Sequence, residues 1–414
     1  MRATGLTPMV SGAGLKQYLK ATEPRVSMRN ATAPFRYVGD LGVGLGEVLG
    51  RRAQDNFNDW FEGAEVFYVH TARTAIQQAC SLLQLEHGGE VLVPAYNCGS
   101  EVDALLAGGA TVRLFRVTNT GEIDLEDVRQ RITRATRALY VIHYFGFPQA
   151  ITPISEFCKE KGLHLMEDCA LSTLTEVNGR RIGQAGDLAV YNFPKVLPVP
   201  DGGAMVINNR ALPRRTWLLK LPKLMLSDAS RLLRQSLLRA LPNAAARILD
   251  CLIRNRAAEE LPSGPGRREM PRSYYSTPFL KDRSISKVSA FLMSGMSFSE
   301  IRARRRRNFS LLLQLLSRES GLTPLYRELP DGVCPLCLPI LVGPARKLAA
   351  RLASFSIPAV PWWSGYNAQC KEWDAFPEAC YLKDHMVALP VHQQLNDSAM
   401  QYIAKRVTEG LQSA

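Results

Sequence analysis

The sequence predicts an α/β fold, with helices on both faces of a mostly parallel sheet, and three observations carry that prediction. Short apolar runs recur between about 70 and 208, at 91–93, 112–117, 139–142, 163–166, 188–193 and 204–207. Runs of this length fit strands buried on both faces. Between the earlier runs lie stretches of helical period, at 72–83 and at 125–132, where Leu125, Val128 and Ile132 share one face. Strand–helix alternation of this kind builds parallel neighbours through helical crossovers.

The remaining elements follow in chain order. Residues 1–60 have no clear period, carry Gly39, Gly42, Gly44 and Gly46, and are expected to form an N-terminal arm. A large domain is expected over 61–270, with a basic helical insertion at 210–265. Inside the insertion, Ser227 caps and Pro242 stops a helix at 227–241, with Leu233, Leu237 and Leu241 on one side and Arg231, Arg234 and Arg239 on another. The turn-rich run at 261–266 (LPSGPG) reads as a linker. A smaller C-terminal α/β domain is expected over 271–414, with helices at 301–316 and at 396–411.

Composition narrows the class. A chain of 414 residues, 46% hydrophobic and 21% charged, is ordinary for a soluble globular enzyme. No apolar run reaches the roughly 18 residues of a membrane span, and the start lacks the apolar stretch of a secretory leader, so a cytoplasmic location is expected. Nine dispersed cysteines argue for reduced thiols, and the isolated Cys334-x-x-Cys337 pair reads as buried thiols rather than a zinc site. From Arg210 to Arg256 eleven Lys or Arg face two Asp, a net +9 out of +13 for the chain. Its arginines alternate with leucines and have only Trp217 for stacking, so nucleic acid is not expected as a partner. The choice left is peripheral contact with an anionic membrane through 210–256 or a solvated face on the protein.

Chemistry concentrates in the alternating segment. Met166-Glu167-Asp168 ends a predicted strand, and Lys195 follows the next one, ahead of the turn Pro200-Asp201-Gly202-Gly203. Ligands lie at the carboxyl ends of strands in open α/β sheets, and a lysine partly desolvated there becomes nucleophilic. Thr71-Ala72-Arg73-Thr74 opens a helix whose first amides suit a phosphate. Taken singly, an acidic pair after a strand is more often a helix cap and a lone lysine more often solvated.

Together and in order, these pieces resemble the DegT/DnrJ/EryC1/StrS aminotransferases. The matching stretches are TARTAI (71–76), GGEVLVPAYNC (88–98), GGATVRLFRV (108–117), IHYFGFP (142–148), GLHLMEDCA (162–170), GRRIGQAGDLAVYNFPK (179–195) and PDGGAMVINN (200–209). The resemblance implies a fold-type I transferase that depends on pyridoxal 5'-phosphate, with Lys195 as the Schiff-base lysine and proton shuttle and Asp168 as partner of the pyridine nitrogen. It implies a phosphate held near Ala72 and Arg73, with Asn192 where the family often has a serine. It further implies an amino-acid donor such as glutamate, a keto-sugar nucleotide acceptor, and a homodimer whose sites are completed by the neighbouring chain, through Arg73 or a residue near Tyr274 and Tyr275.

Two positions depart from the family pattern. Cys98 stands where an aromatic ring usually stacks on the cofactor, with Tyr96 as the nearest substitute. Leu171 stands where Gln or His usually meets the cofactor hydroxyl, with Ser172 as its substitute. These departures keep two alternatives open: dehydration or aldol cleavage on the same scaffold, and a silent cofactor-binding relative. Trp362 and Trp363 read as core or dimer contacts, His392 as structural, and one of Arg304–Arg307 as a partner for a substrate phosphate.

Overall fold

The computed structural model describes residues 60–61, 63–212, 269–270 and 283–412. The expected N-terminal arm, the helix at 227–241, the linker at 261–266, Tyr274, Tyr275 and the basic segment beyond 212 lie outside the described residues.

Seven strands form the main sheet: β1 (Glu65–Val69), β2 (Glu90–Pro94), β3 (Thr111–Phe115), β4 (Thr136–Ile142), β5 (His164–Asp168), β8 (Leu188–Asn192) and β9 (Gly203–Ile207). The intervening β6 (Glu176–Val177) and β7 (Arg180–Arg181) make a small separate hairpin. Their spatial order in the sheet is β1-β9-β8-β5-β4-β2-β3. The strands β3, β2, β4, β5 and β8 are mutually parallel, whereas β9 runs against both β8 and β1. Each apolar run read from the sequence falls on one of these strands. Strand β1 was not among them: Glu65-Val66-Phe67-Tyr68-Val69 is half-exposed along the sheet edge, so its pattern is diluted.

The helices begin where side chains satisfy their free amides. In α1 (Ala72–Leu82) the Thr71 hydroxyl accepts from the Thr74 amide. In α2 (Ser100–Ala107) the first-turn Glu101 carboxylate accepts from the Cys98 amide at 2.7 Å. Asp124 caps α3 (Leu125–Arg131), and α4 (Ile151–Lys161) ends on the left-handed Gly162. Ser286 caps α5 (Lys287–Met293), and Ser297 caps α6 (Phe298–Leu315), with Glu300 in the reciprocal position of a capping box.

The C-terminal part builds a second sheet, all antiparallel, from β11 (Thr323–Pro324), β12 (Cys337–Leu341), β13 (Val360–Pro361) and β15 (Met386–Pro390), in the order β11-β12-β15-β13. Two short strands, β10 (Glu269–Met270) and β14 (Tyr366–Asn367), pair in parallel beside it. Helices α7 (Ala345–Ser354), α8 (Pro377–His385) and α9 (Asp397–Gln412) complete this part. One apolar cluster runs through both sheets, from Val91 and Tyr140 to Ile340, Leu389 and Ile403.

The two parts also meet through backbone. After β4 the chain turns through Tyr144, Phe145 and Gly146, and the Phe145 carbonyl accepts from the Leu336 amide at 2.8 Å. Thr175 donates to the Gly146 carbonyl and accepts from the Cys334 amide. Cys334 and Cys337 are buried free thiols beside this seam. Gly146 has φ +101, and a Cβ there would run into the Cys334 carbonyl oxygen. Both the dihedral and the lack of space require glycine. Gly146→Ala should therefore cost about 2–3 kcal/mol in urea unfolding, the sum of left-handed strain and overpacking. An unchanged unfolding midpoint would show that the seam yields freely.

Candidate active site

The period of two along a strand decides which residues meet. Asp168 is the last residue of β5, paired with Ile142 on β4 and Val190 on β8, so its side chain shares a face with Tyr140, Val190 and Asn192. Glu167 points to the opposite face. There its carboxylate accepts from the Ala185 and Gly186 amides at 2.8 and 2.6 Å and lies 3.0 Å from His143 Nε2. His143 Nδ1 accepts from the Gln149 amide, so Nε2 carries the proton and donates to Glu167. The acidic pair thus divides into a structural Glu167 and a site-facing Asp168.

Asp168 is buried and held by two donors, the Tyr140 phenol on Oδ2 at 2.7 Å and the Ala170 amide on Oδ1 at 2.8 Å. Two donors leave a carboxylate with lone pairs to spare. Asn192 pairs with Gly203 across β8 and β9. A Cβ on Gly203 would sit 2.9 Å from the Ala72 amide nitrogen. Opposite residues in a ladder project to the same side, so the start of α1, Asn192 and Asp168 share one face of the sheet. Ala72 and Arg73 form the first turn of α1, where free amides and the helix dipole favour an anion. The Arg73 guanidinium is buried near Cys98 and Asp103, and burial pulls its pKa down to about 10 while these neighbours oppose the shift.

Lys195 closes the 3-10 turn Phe193–Lys195 directly after β8. Among the described residues no hydrogen bond or ion pair engages its amine. Its surroundings are visible in the ionisation of its neighbours. Burial and then Asp168 push the Glu101 carboxyl up, while Lys195 pulls it back. Burial and then Glu101 push the Cys98 thiol up, and Lys195 again pulls it back. Lys195, Cys98, Glu101 and Asp168 therefore share one electrostatic neighbourhood, at the carboxyl ends of β2, β5 and β8.

Other expectations are redirected by packing. Tyr96 is fully buried against Tyr144 and Trp363, at 5.4 and 5.3 Å between ring centres, and its phenol donates to the Trp362 carbonyl. It is committed to this aromatic cluster and does not supply the ring missing at Cys98. Leu171 lies in the core, and Ser172 is buried with its hydroxyl donated to the His143 carbonyl at 2.9 Å. The arginine run is occupied by protein groups: Arg304 approaches Glu300, Arg306 reaches the Pro330 and Val333 carbonyls, and Arg307 pairs with Asp397. Arg305 is buried and donates to Gln393 and to the carbonyls of Pro335, Leu336 and Val196. Gln393 donates to that same Val196 carbonyl at 3.0 Å, so both hold the residue next to Lys195.

Sequence reasoning missed Glu101, Tyr140 and Lys383. Tyr140 lies within an apolar run and Lys383 on an amphipathic helix, so neither carries a local signal. Glu101, three residues after Cys98 at a helix start, has the spacing of a cap. Lys383 is fully buried, with Nζ donating to the carbonyls of Asn97, Trp363 and Gly365 at 2.7, 3.1 and 3.0 Å. The rings of Tyr96, Tyr366 and Trp373 surround it within 6 Å. Among the described residues no group of His, Cys, Asp and Glu is arranged to hold a metal ion.

The site thus places a lysine and a carboxylate at the strand ends of a mostly parallel sheet, and known proteins share this arrangement of chain and sheet. Residues 51–231 match the model of the DegT/DnrJ/EryC1/StrS aminotransferase family. A GDP-perosamine synthase of Vibrio cholerae is 29% identical over 161 residues, which are 38% of this chain and 44% of that protein. A dTDP-4-dehydro-2,3,6-trideoxy-D-glucose 4-aminotransferase of Saccharopolyspora spinosa is 33% identical over 154 residues, 36% of this chain and 40% of that protein. The chain therefore spans less than half the length of these relatives. The aminotransferase TlmJ from Streptoalloteichus hindustanus superposes with a TM-score of 0.59 at 22% identity, covering 84% of this chain and 86% of its own. DesV of S. venezuelae gives 0.59 at 21% identity, covering 86% and 87%. The chain shares its fold with these two solved aminotransferases.

Lys383 gives the site's supporting shell a pH dependence. Burial lowers its pKa from 10.5 to about 8, against the opposing pull of Cys98 and Glu101. Between these values the folded chain binds fewer protons than the unfolded one, so stability contributed at this position rises with pH. The stability difference between wild type and Lys383→Met should shift in favour of wild type from pH 8 to 10, by up to about 3 kcal/mol. Urea unfolding at three pH values measures it, and a difference that is flat or falls with pH would refute the assignment.

Proposed function

We propose that the chain is a pyridoxal-phosphate-dependent aminotransferase that moves an amino group from an amino acid, glutamate in the first instance, to a keto-sugar nucleotide. The observation that carries this reading is the shared face of Asp168, Asn192 and the start of α1, with the Lys195 amine in the same neighbourhood. The donor set fits the cofactor: an amine for an aldehyde, a buried carboxylate for a pyridinium, and amides with a cationic side chain for a phosphate. When bound, the cofactor supplies an electron sink for carbanion chemistry.

The chain's own residues divide the work. Lys195 would hold the aldehyde and serve as general acid and base at the substrate carbon. Asp168 would hold the ring nitrogen's proton. Asn192 and the amides of Ala72 and Arg73 would hold the phosphate. Cys98, a free thiol, stands at the position where the resembling family stacks an aromatic ring. The acceptor belongs to surface-polysaccharide or glycoconjugate synthesis in this reading.

The division into an arm at 1–60, a large domain at 61–270 and a small domain at 271–414 belongs to the same proposal, as does a homodimer. No helix among the described residues is long and apolar enough to cross a membrane. Contact of 210–256 with an anionic membrane remains a proposal for vesicle co-sedimentation, with an Arg231/Arg234/Arg239→Glu triple variant as control; equal, negligible pelleting would end it.

Purified chain mixed with pyridoxal phosphate should develop a band near about 410–430 nm, which borohydride fixes on Lys195 and which Lys195→Ala abolishes. Glutamate should then bleach the band toward the amine form of the cofactor. A band unaltered by Lys195→Ala defeats the site assignment. A band that glutamate leaves untouched, with other amino acids equally inert, favours dehydration or aldol cleavage on this scaffold.

A further inference from the structure

Of the two groups that donate to the Asp168 carboxylate, one is the Ala170 amide and the other is the Tyr140 phenol. Tyr140 is the only side chain among the described residues that hydrogen-bonds it. We infer that Tyr140 is a positioning residue for the cofactor chemistry, donating to Asp168 and aiming it so that the shared proton stays on the cofactor's ring nitrogen. This inference rests on the pyridoxal-phosphate reading and deepens it.

The geometry is rigid. Tyr140 lies in the middle of β4, is fully buried, and pairs in register with Met166, two residues before Asp168 on β5. Its phenol thus reaches the carboxylate diagonally across two paired strands, a distance fixed by the ladder rather than by a loop. The phenol is also a durable donor. Burial first, and Asp168 second, push its pKa well above the ordinary value, so it keeps its proton throughout the working range.

A hydrogen bond donated to the ionised form of an acid favours that form. A carboxylate facing a pyridine can exist as an ion pair or as a neutral acid–base pair, and only the ion pair leaves the ring cationic. A second donor on Asp168 therefore biases the pair toward the cationic ring, which is the better electron sink. Other titratable groups surround Asp168: Glu101 on α2, Tyr144 after β4, Cys169 after β5 and Lys195 after β8. None of these donates to it. The rival explanation is that a buried tyrosine must spend its hydroxyl somewhere and Asp168 is merely the nearest acceptor. The two explanations differ in what the cofactor feels.

Tyr140→Phe keeps the ring and removes only the hydroxyl. Wild type and variant, each loaded with pyridoxal phosphate, are titrated by following the visible band of the lysine-bound cofactor. A less cationic ring makes the imine nitrogen more basic, so the variant's midpoint should rise by about half a pH unit or more. Its turnover number should fall about tenfold, the scale of one hydrogen bond to an ionised group, with little change in KM for the amino donor. A fluorinated tyrosine at position 140, a stronger donor of the same shape, should move the midpoint the other way and covers the case in which the Phe variant folds poorly. Coincident midpoints across all three proteins would overturn the inference while leaving the cofactor reading intact. A wild type with no visible band would sink the cofactor reading itself.

Discussion

Glu167 and Asp168 are neighbours in the chain, and the two-residue period of β5 sends them to opposite faces of the sheet. The rest of the site depends on that separation. On one face Glu167 collects the Ala185 and Gly186 amides and His143, and so fixes the loop that leads into β8. On the other, Asp168 meets Tyr140 and faces the start of α1. A one-residue slip of β5 would exchange the two carboxylates and leave both with the wrong partners. Parallel pairing with β4 and β8 makes such a slip costly, because the strands are buried on both sides.

The C-terminal part does more than cover the sheet. It places two fully buried cations on backbone carbonyls of the site loops: Lys383 on Asn97, beside Cys98, and Arg305 on Val196, beside Lys195. Among the described residues, both cations hydrogen-bond to carbonyl oxygens and to none of the carboxylates. Burying a charge on neutral acceptors is expensive unless every donor is satisfied, so these contacts tolerate little displacement. Their consequence is that the backbone beside Lys195 and beside Cys98 is set by residues 109 and 286 positions away in sequence, respectively. The backbone seam at Phe145 and Gly146 adds a third fixed point after β4.

The elements that could be read in the sequence are those whose signal is local. Strands β2, β4, β5, β8 and β9 are nearly continuous apolar runs because both of their faces are covered, and α6 and α9 carry their apolar stripes within one segment. The places of Asp168 at the end of one strand and Lys195 just after another were legible for the same reason. The positions misread were those whose role depends on a distant partner. Tyr96 and Ser172 have the right chemistry for a cofactor site, yet Trp363 and His143 claim them. Arg305 stood in a conspicuous basic run that pointed toward a phosphate, and it is instead buried on carbonyls.

By itself the sequence determined the α/β alternation and the order of the strands along the chain, and it singled out Lys195, Asp168 and the helix start at Ala72 as candidates. These are properties of short windows, governed by periodicity, capping and residue chemistry. Only the tertiary structure decided that a phenol from β4 holds Asp168, that Glu167 serves the loop before β8, and that cations from the C-terminal part pin the loops. Those facts depend on strand register and on which side chains meet across hundreds of residues, and no local pattern encodes either.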